Sequence, residues 1–281
     1  MSTITTYARP ASIEEAVGLL KEKRGKAALL AGGTSLTVRT PPGIDTLVDL
    51  GPLAPRGITD SGDSFSIGAF TTVTELAASK QAREAYGGVL AQAALRVAST
   101  PLRNMITVGG NCVQVLPWSD LPGVFLALGA EFVVGGASNR TIPASQFFAA
   151  HPRKFLDPGD IITAIKVPKP VGRAVGAFTK VSTTRFDYAA LSVTAVCWLS
   201  GSQVRDCAVA LGSIRPLPMR VRQAEQEIVD RDPTRQDVVR AAARAAGAVE
   251  PSVDFRHDKK VRTQYIKTHV KRTLLAALEQ G

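Results

Sequence analysis

Two short segments carry the residues best suited to hold a charged ligand. The first, Leu29-Leu30-Ala31-Gly32-Gly33-Thr34-Ser35-Leu36, runs from an apolar strand into paired glycines and then two hydroxyls. Glycines at the end of a strand let a backbone approach a ligand closely, and successive N–H groups there can cradle phosphate oxygens. The second, Thr107-Val108-Gly109-Gly110-Asn111, repeats the logic with a hydroxyl before the glycines and an amide side chain after them. Strand–Gly–Gly turns are common and most are only structural. Two of them in neighbouring modules imply a pyrophosphate held from both sides. Neither fits the Rossmann G-x-G-x-x-G pattern or the P-loop with its Gly-Lys-Ser/Thr, so a dinucleotide here requires a different fold. The histidines His151, His257 and His269 form no His-x-x-x-His pair, which leaves a metal site or a hydrolase triad without support.

These segments need elements to position them. Ser12-Ile13-Glu14-Glu15 has capping-box spacing, and Ala16, Leu19 and Leu20 continue it as a helix ending near Lys23 to Gly25. Strands are expected at Ala27–Ala31 and Thr46–Leu50, which makes residues 1–55 a small α/β unit. In residues 56–172 the alternation from Phe65 to Ala69 predicts a strand, and Thr72 with Glu75 predicts a second capped helix. Helix is expected over Tyr86–Val97, an irregular segment over Ser99–Pro117, helix over Phe125–Gly129, and strands over Glu131–Val134 and Ile161–Val167. In residues 173–281 three strands, Gly176–Ser182, Leu191–Leu199 and Val204–Leu211, precede helices at Arg222–Val229, Thr234–Ala246 and Asp258–Glu279. Gly201-Ser202 supplies the hairpin turn.

Composition narrows the class. Of 281 residues 45% are hydrophobic and 21% charged, the balance of a globular protein with a substantial core. No run approaches the roughly 18 apolar residues of a membrane span, and Met1 to Ala8 shows no secretory pattern, so the cytoplasm is the default compartment. Cys112, Cys197 and Cys207 have no C-x-x-C spacing and fall short of the four thiolates an iron–sulfur cluster usually takes. The net charge of +10 gathers toward the end, at Arg256, Lys259, Lys260, Arg262, Lys267, Lys271 and Arg272. Aromatics are only 6% and no nucleic-acid motif is present, so this reads as a solvated face or a docking surface for an acidic partner.

Other passages fall in a particular order around the glycine segments. They are Ile67-Gly68-Ala69 before Thr71-Thr72 and Glu75-Leu76, then Arg103-Asn104, then Ser119-Asp120-Leu121-Pro122. Pro158-Gly159-Asp160-Ile161-Ile162 follows, then Lys180 with Asp187-Tyr188-Ala189, and last Pro218-Met219-Arg220 before Ala224-Glu225. In this order and number they cover nearly the whole chain, and the chain resembles the FAD-binding subunits of the molybdenum hydroxylases, the xanthine dehydrogenase and carbon monoxide dehydrogenase group.

The resemblance implies an α+β fold. It comprises a two-part FAD-binding domain of the vanillyl-alcohol-oxidase type, then a C-terminal three-stranded antiparallel sheet with a helical bundle. It implies that Leu29 to Leu36 wrap the pyrophosphate of FAD and approach the flavin end, and that Thr107 to Asn111 contact pyrophosphate and ribityl oxygens. Asp120 is the implied acidic partner of FAD polar groups, Ile162 packs against the ring systems, and Lys180 and Tyr188 lie near the flavin. It further implies partners: a large subunit with molybdopterin and a small one with [2Fe-2S] clusters, whose electrons pass through FAD to NAD, oxygen or a quinone. Cys112 and the run Val113 to Trp118 depart from the commoner family forms and leave the adenine and ribose contacts open. The four-cysteine insertion of some relatives is absent. A self-sufficient FAD oxidoreductase and a non-redox scaffold of the same fold are the rival readings.

Overall fold

The computed structural model describes residues 4–38, 40–136, 138–253 and 257–280; Met1 to Thr3, Arg39, Ala137, Asp254 to Arg256 and Gly281 lie outside the described residues. The first unit has β1 (Thr6–Ala8), α1 (Ile13–Glu22), β2 (Ala27–Leu30) and β3 (Thr46–Asp49). The strands are parallel in the order β1-β3-β2. Ser12 caps α1 by accepting from the Glu15 amide, and the Glu15 carboxylate reaches back one residue further than expected, to the Ala11 amide at 2.6 Å. The helix buries Ala16, Val17 and Leu20, one stripe at helical spacing.

The second unit adds β4 (Ile58–Asp60), β5 (Ser64–Gly68), α2 (Val73–Ala78), α3 (Lys80–Glu84), α4 (Val89–Ala94), α5 (Thr100–Arg103), α6 (Val108–Gln114), α7 (Leu121–Ala127), β6 (Glu131–Gly136), β7 (Arg140–Pro143), α8 (Ala144–Phe147) and β8 (Asp160–Pro168). Its sheet runs β4-β5-β8-β6-β7 and is antiparallel throughout. The Thr72–Glu75 capping box forms in full. The helix expected from Tyr86 begins only at Val89, because Tyr86, Gly87 and Gly88 all take positive φ. That turn is held by the Tyr86 hydroxyl donating to Pro168 O at 2.8 Å. The segment expected to be irregular, Ser99 to Pro117, instead contains α5 and α6. A Pro at the first turn and Thr107 as N-cap are start signals that the glycines mask.

The third unit has β9 (Arg173–Val181), β10 (Leu191–Ser200), β11 (Gln203–Gly212), β12 (Met219–Arg220), α9 (Arg222–Glu225), α10 (Arg235–Ala248) and α11 (Lys259–Leu278). Three long antiparallel strands form the expected sheet, and the two-residue β12 adds a fourth at the β11 edge. Arg220 earns that pairing: its guanidinium holds the buried Glu225 carboxylate at 2.8 and 3.0 Å, and Glu225 also accepts from the Val209 amide. α10 and α11 cover one face, burying Val238, Ala241, Ala245, Ile266, Val270 and Leu274 against Val193, Cys197 and Val209. Cys197 and Cys207 face each other in register, fully buried, with sulfurs 3.8 Å apart.

Candidate functional site

The first glycine segment leaves β2 at Leu30 and turns back at Gly33, whose φ of +72° belongs to the left-handed region. Thr37 closes the turn, its amide and hydroxyl both donating to Gly33 O, at 3.0 and 2.7 Å. Among the described residues the amides of Gly32, Gly33, Thr34 and Ser35 have no backbone or side-chain acceptor. A run of unspent N–H donors around a left-handed residue is an anion-binding concavity. Gly32 is required by contact: a Cβ there would lie 1.7 Å from Met105 O. The loop is thus clamped onto the link between α5 and α6, which places the two motifs side by side.

The second motif is the first turn of α6. Its Thr107 hydroxyl caps the helix by accepting from the Gly110 amide at 3.1 Å. The Val108 and Gly109 amides are already committed to Thr71 O and Ala69 O, at 2.9 and 2.8 Å. A Cβ on Gly109 would sit 2.8 Å from that same Ala69 oxygen. Gly109 therefore serves the packing of α6 on the segment after β5 first, and the groups left for a ligand are the Thr107 hydroxyl proton and the Asn111 side chain. Asn111 Oδ1 is buried with no hydrogen-bond partner, a cost of about 1–3 kcal/mol that a bound donor would remove. Ala31 and Gly110 approach closely, about 4.0 Å from the Cβ position of the latter.

Asp120 and Lys180 come together in the interior. Asp120 stands at the start of α7 but makes no capping bond; its Oδ2 instead accepts from Lys180 Nζ at 2.8 Å, with side chains only 2% and 3% exposed. Lys180, on β9, also donates to Arg96 O at 3.0 Å. The pair thereby joins α7, the end of α4 and the third unit's sheet. Burial pushes the Asp120 carboxyl up to about 6, against the lowering pull of Lys180 and Arg96. Asp120 Oδ1 and Arg96 Nε are both buried without a partner, so this cluster too retains unspent polar capacity.

Ile162 lies on β8, 6% exposed, opposite Val134 of β6. It belongs to the main apolar core. Tyr188 lies on the loop from β9 to β10, 53% exposed, and stacks on Trp118, with ring centroids 4.3 Å apart and planes tilted 31°. Sequence reasoning placed no role on Trp118, Arg96 or the carbonyls of Ala69, Thr71 and Met105. Trp118 and Arg96 were visible as residue types in the sequence; the carbonyls carry no side-chain signal. An open cleft of about 680 Å³ lies elsewhere. Its walls are α1 and the β6–β8 sheet, with Val17, Gly135, Asn139, Arg140 and Thr163, and neither glycine motif contributes to it.

These features fit a phosphate-bearing dinucleotide: four unspent amides on one loop, and a buried, unpartnered Asn111 Oδ1 on the helix that the second motif opens. Residues 2–170 match the FAD binding domain in molybdopterin dehydrogenase, and residues 176–277 match the CO dehydrogenase flavoprotein C-terminal domain. The carbon monoxide dehydrogenase medium chain of Hydrogenophaga pseudoflava is 32% identical over 278 residues, covering 96% of each chain. The xanthine dehydrogenase FAD-binding subunit of Escherichia coli O157:H7 is 27% identical over 286 residues, covering 99% of this chain and 97% of its own. Among solved structures, carbon monoxide dehydrogenase from Hydrogenophaga pseudoflava superposes with a TM-score of 0.91 at 31% identity, over 99% of this chain and 98% of that one.

Proposed function

The chain belongs to the family of FAD-binding subunits of the molybdopterin dehydrogenases, and we propose that it relays electrons from iron–sulfur clusters of a small partner subunit, through FAD, to an external acceptor. It is the flavoprotein component of an oxidoreductase complex of the molybdenum hydroxylase type. In this reading the molybdopterin centre lies in a large partner subunit and the acceptor is NAD, oxygen or a quinone. Bound FAD supplies the exchange between one-electron and two-electron carriers.

This chain's own residues bind and orient. The amides of Gly32, Gly33, Thr34 and Ser35 are proposed to hold the pyrophosphate, with Ala31 and Leu36 shaping the loop and Leu29 and Leu30 anchoring it in the first sheet. Asn111 and the Thr107 hydroxyl are proposed for the ribityl or pyrophosphate oxygens, with Val108, Gly109 and Gly110 giving the close approach. Asp120 is proposed to accept from FAD hydroxyls through Oδ1 while Lys180 holds its other oxygen, and Ile162 to bound the ring system from the core. Tyr188 is proposed to lie beside the flavin. We also propose the division into 1–55, 56–172 and 173–281; each sheet's strands fall inside one of these spans.

The observation that carries the reading is the run of four unspent amides on the Gly32–Ser35 loop. An absorbance spectrum of the purified chain, with its released cofactor identified, tests it. Flavin bands and FAD in the supernatant are the expected result. Anaerobic addition of reduced partner subunits should then bleach those bands, and added acceptor should restore them. A chain that stays colourless after reconstitution with excess FAD contradicts the reading.

A further inference from the structure

Two of the three cysteines stand opposite one another inside the third unit and take no part in the site described above. Cys197 of β10 and Cys207 of β11 are register partners, both fully buried in the core that α10 and α11 cover. Their sulfurs are 3.8 Å apart, the Cys197 thiol donating to Cys207 Sγ. The backbone shows which kind of cross-strand pair this is. The Cys207 amide donates to Asp206 Oδ1 at 2.8 Å, and its carbonyl accepts from the Arg220 guanidinium at 3.1 Å. Val209, two residues on, likewise turns its amide to Glu225 and its carbonyl to the Val221 amide. Backbone groups alternate sides along a strand, so both residues point toward the β12 edge and away from β10. Cys197 and Cys207 are therefore a non-hydrogen-bonded pair, the arrangement in which opposite Cα atoms come closest, at about 4.5 Å.

That separation lies within the roughly 4.4–6.8 Å that a disulfide spans between Cα atoms, so side-chain rotation is enough to join the sulfurs. What the reduced pair lacks is reactivity. Its mutual hydrogen bond, and then burial, hold the Cys207 thiol well above the ordinary thiol range, and the thiolate is the form that reacts. Reaction therefore waits for a local opening. The hairpin end supplies one: the register shifts between Trp198 and Leu199, next to the pair, and Gly201 turns at a φ of +61° just beyond. A ladder interrupted near its end opens more readily than the middle of a sheet. Such an opening admits a small oxidant ahead of a bulky thiol, and the second sulfur is already in place to resolve the first. The third cysteine, Cys112, belongs to the other core and has neither thiol beside it.

We propose that Cys197 and Cys207 form a reversible cross-strand disulfide when the chain meets hydrogen peroxide, stapling β10 to β11. One sulfur, as its thiolate, attacks a peroxide oxygen and the O–O bond breaks, which gives a sulfenic acid and, with a proton, one water. The second sulfur then displaces the sulfenic oxygen, which leaves as a second water with the remaining thiol proton. Two thiols and one hydrogen peroxide thus become one disulfide and two waters, and two electrons pass from the sulfurs to the peroxide. The bond consumes the sulfenic acid before it reaches the irreversible sulfonic form. It also ties down the strand on which β9 rests, where Lys180 stands opposite Ser192. Neither thiol enters the FAD reading, which stands or falls separately.

The test treats the folded full-length chain with excess hydrogen peroxide, quenches it with catalase, unfolds it in the presence of an alkylating agent and reads the peptides by mass. Arg205 lies between the two cysteines, so trypsin parts them into separate peptides unless a disulfide joins them. The expected result is a linked pair of the Cys197 and Cys207 peptides that dithiothreitol separates, with Cys112 alkylated. The oxidised chain should melt roughly 3–8 °C above the same sample after reduction, the effect of closing a short loop. Cys207→Ala should give no linked pair and no such rise, and Cys197→Ala is the second variant should the first fold poorly. Both thiols still alkylated after treatment, or Cys112 lost as readily as the pair, overturns the proposal. So does a linked pair that forms only in the urea-unfolded chain, or one that lowers the melting temperature.

Discussion

Lys180→Met isolates the buried ion pair. In the wild type the Asp120 carboxyl is 2% exposed, with one oxygen on Lys180 and the other unpartnered. Its value of about 6 lies above the ordinary 3.8, so between those two values the folded chain holds a proton that the unfolded chain has released. Stability from this group is therefore fully present below about pH 3.8 and lost as the pH rises through about 6. The span is worth about 3 kcal/mol at roughly 1.4 kcal/mol per pH unit. Removing the ammonium strips away the one strong counter-charge, and the carboxyl moves higher still. At about pH 8 the variant must bury an unpaired carboxylate, a loss of about 3–5 kcal/mol. At about pH 5.5 the carboxyl is protonated and the loss should shrink to about 1 kcal/mol, the worth of the missing hydrogen bonds.

Urea unfolding of the flavin-free chain at the two pH values is the assay, since bound ligand would add its own stabilisation. The expected drop in midpoint at the higher pH is about 1–2 M for a slope of about 2–3 kcal/mol/M. The double variant Asp120→Leu, Lys180→Met should recover the wild-type midpoint or exceed it. An equal loss at both pH values, or a loss under about 1 kcal/mol at the higher one, would refute the electrostatic account of this pair.

Gly32→Ala places a methyl 1.7 Å from Met105 O and should cost about 1–3 kcal/mol by overpacking and abolish FAD uptake; thermal melting and FAD titration check it. Gly109→Ala, 2.8 Å from Ala69 O, should lower stability in the same assay, because the methyl must displace the strand end that holds the α6 amides. Asn111→Leu should weaken FAD by roughly tenfold, as expected for a lost hydrogen bond of about 1–2 kcal/mol. The flavin-free variant should be at least as stable as the wild type, since a buried orphan oxygen is removed. Loss of stability without loss of affinity would count against a ligand role for Asn111.

Much of the architecture was legible because it is written locally. Ser12 and Thr72 cap helices where their spacing to the next acidic residue predicts, and the helices expected from Thr234 and Asp258 begin one residue later, with those two residues as their caps. The alternating runs at Phe65, Leu191 and Val204 became strands within a residue or two of expectation. The misses have physical causes too. Tyr86-Gly87-Gly88 delayed to Val89 a helix expected from Tyr86, because positive φ at three successive residues is not a helical path. Glycines at 109 and 110 hid a helix that Thr107 caps. Strands β1, β4 and β7 are three or four residues long, too short for periodicity to register.

The residue types and their order, by themselves, determined which segments could meet an anion and which family the chain belongs to, because glycine pairs, hydroxyls and caps act within a few residues of themselves. Only the tertiary structure decided what those groups have left to offer. It committed the Val108 and Gly109 amides to Thr71 and Ala69, left the four amides of the Gly32 loop unspent, and buried Lys180 against Asp120 across 60 residues of sequence. It also stacked Trp118 on Tyr188 from a different unit. A hydrogen bond or a stacked ring is used up by whatever reaches it in space, and that reach is set by packing between distant segments that no local pattern encodes.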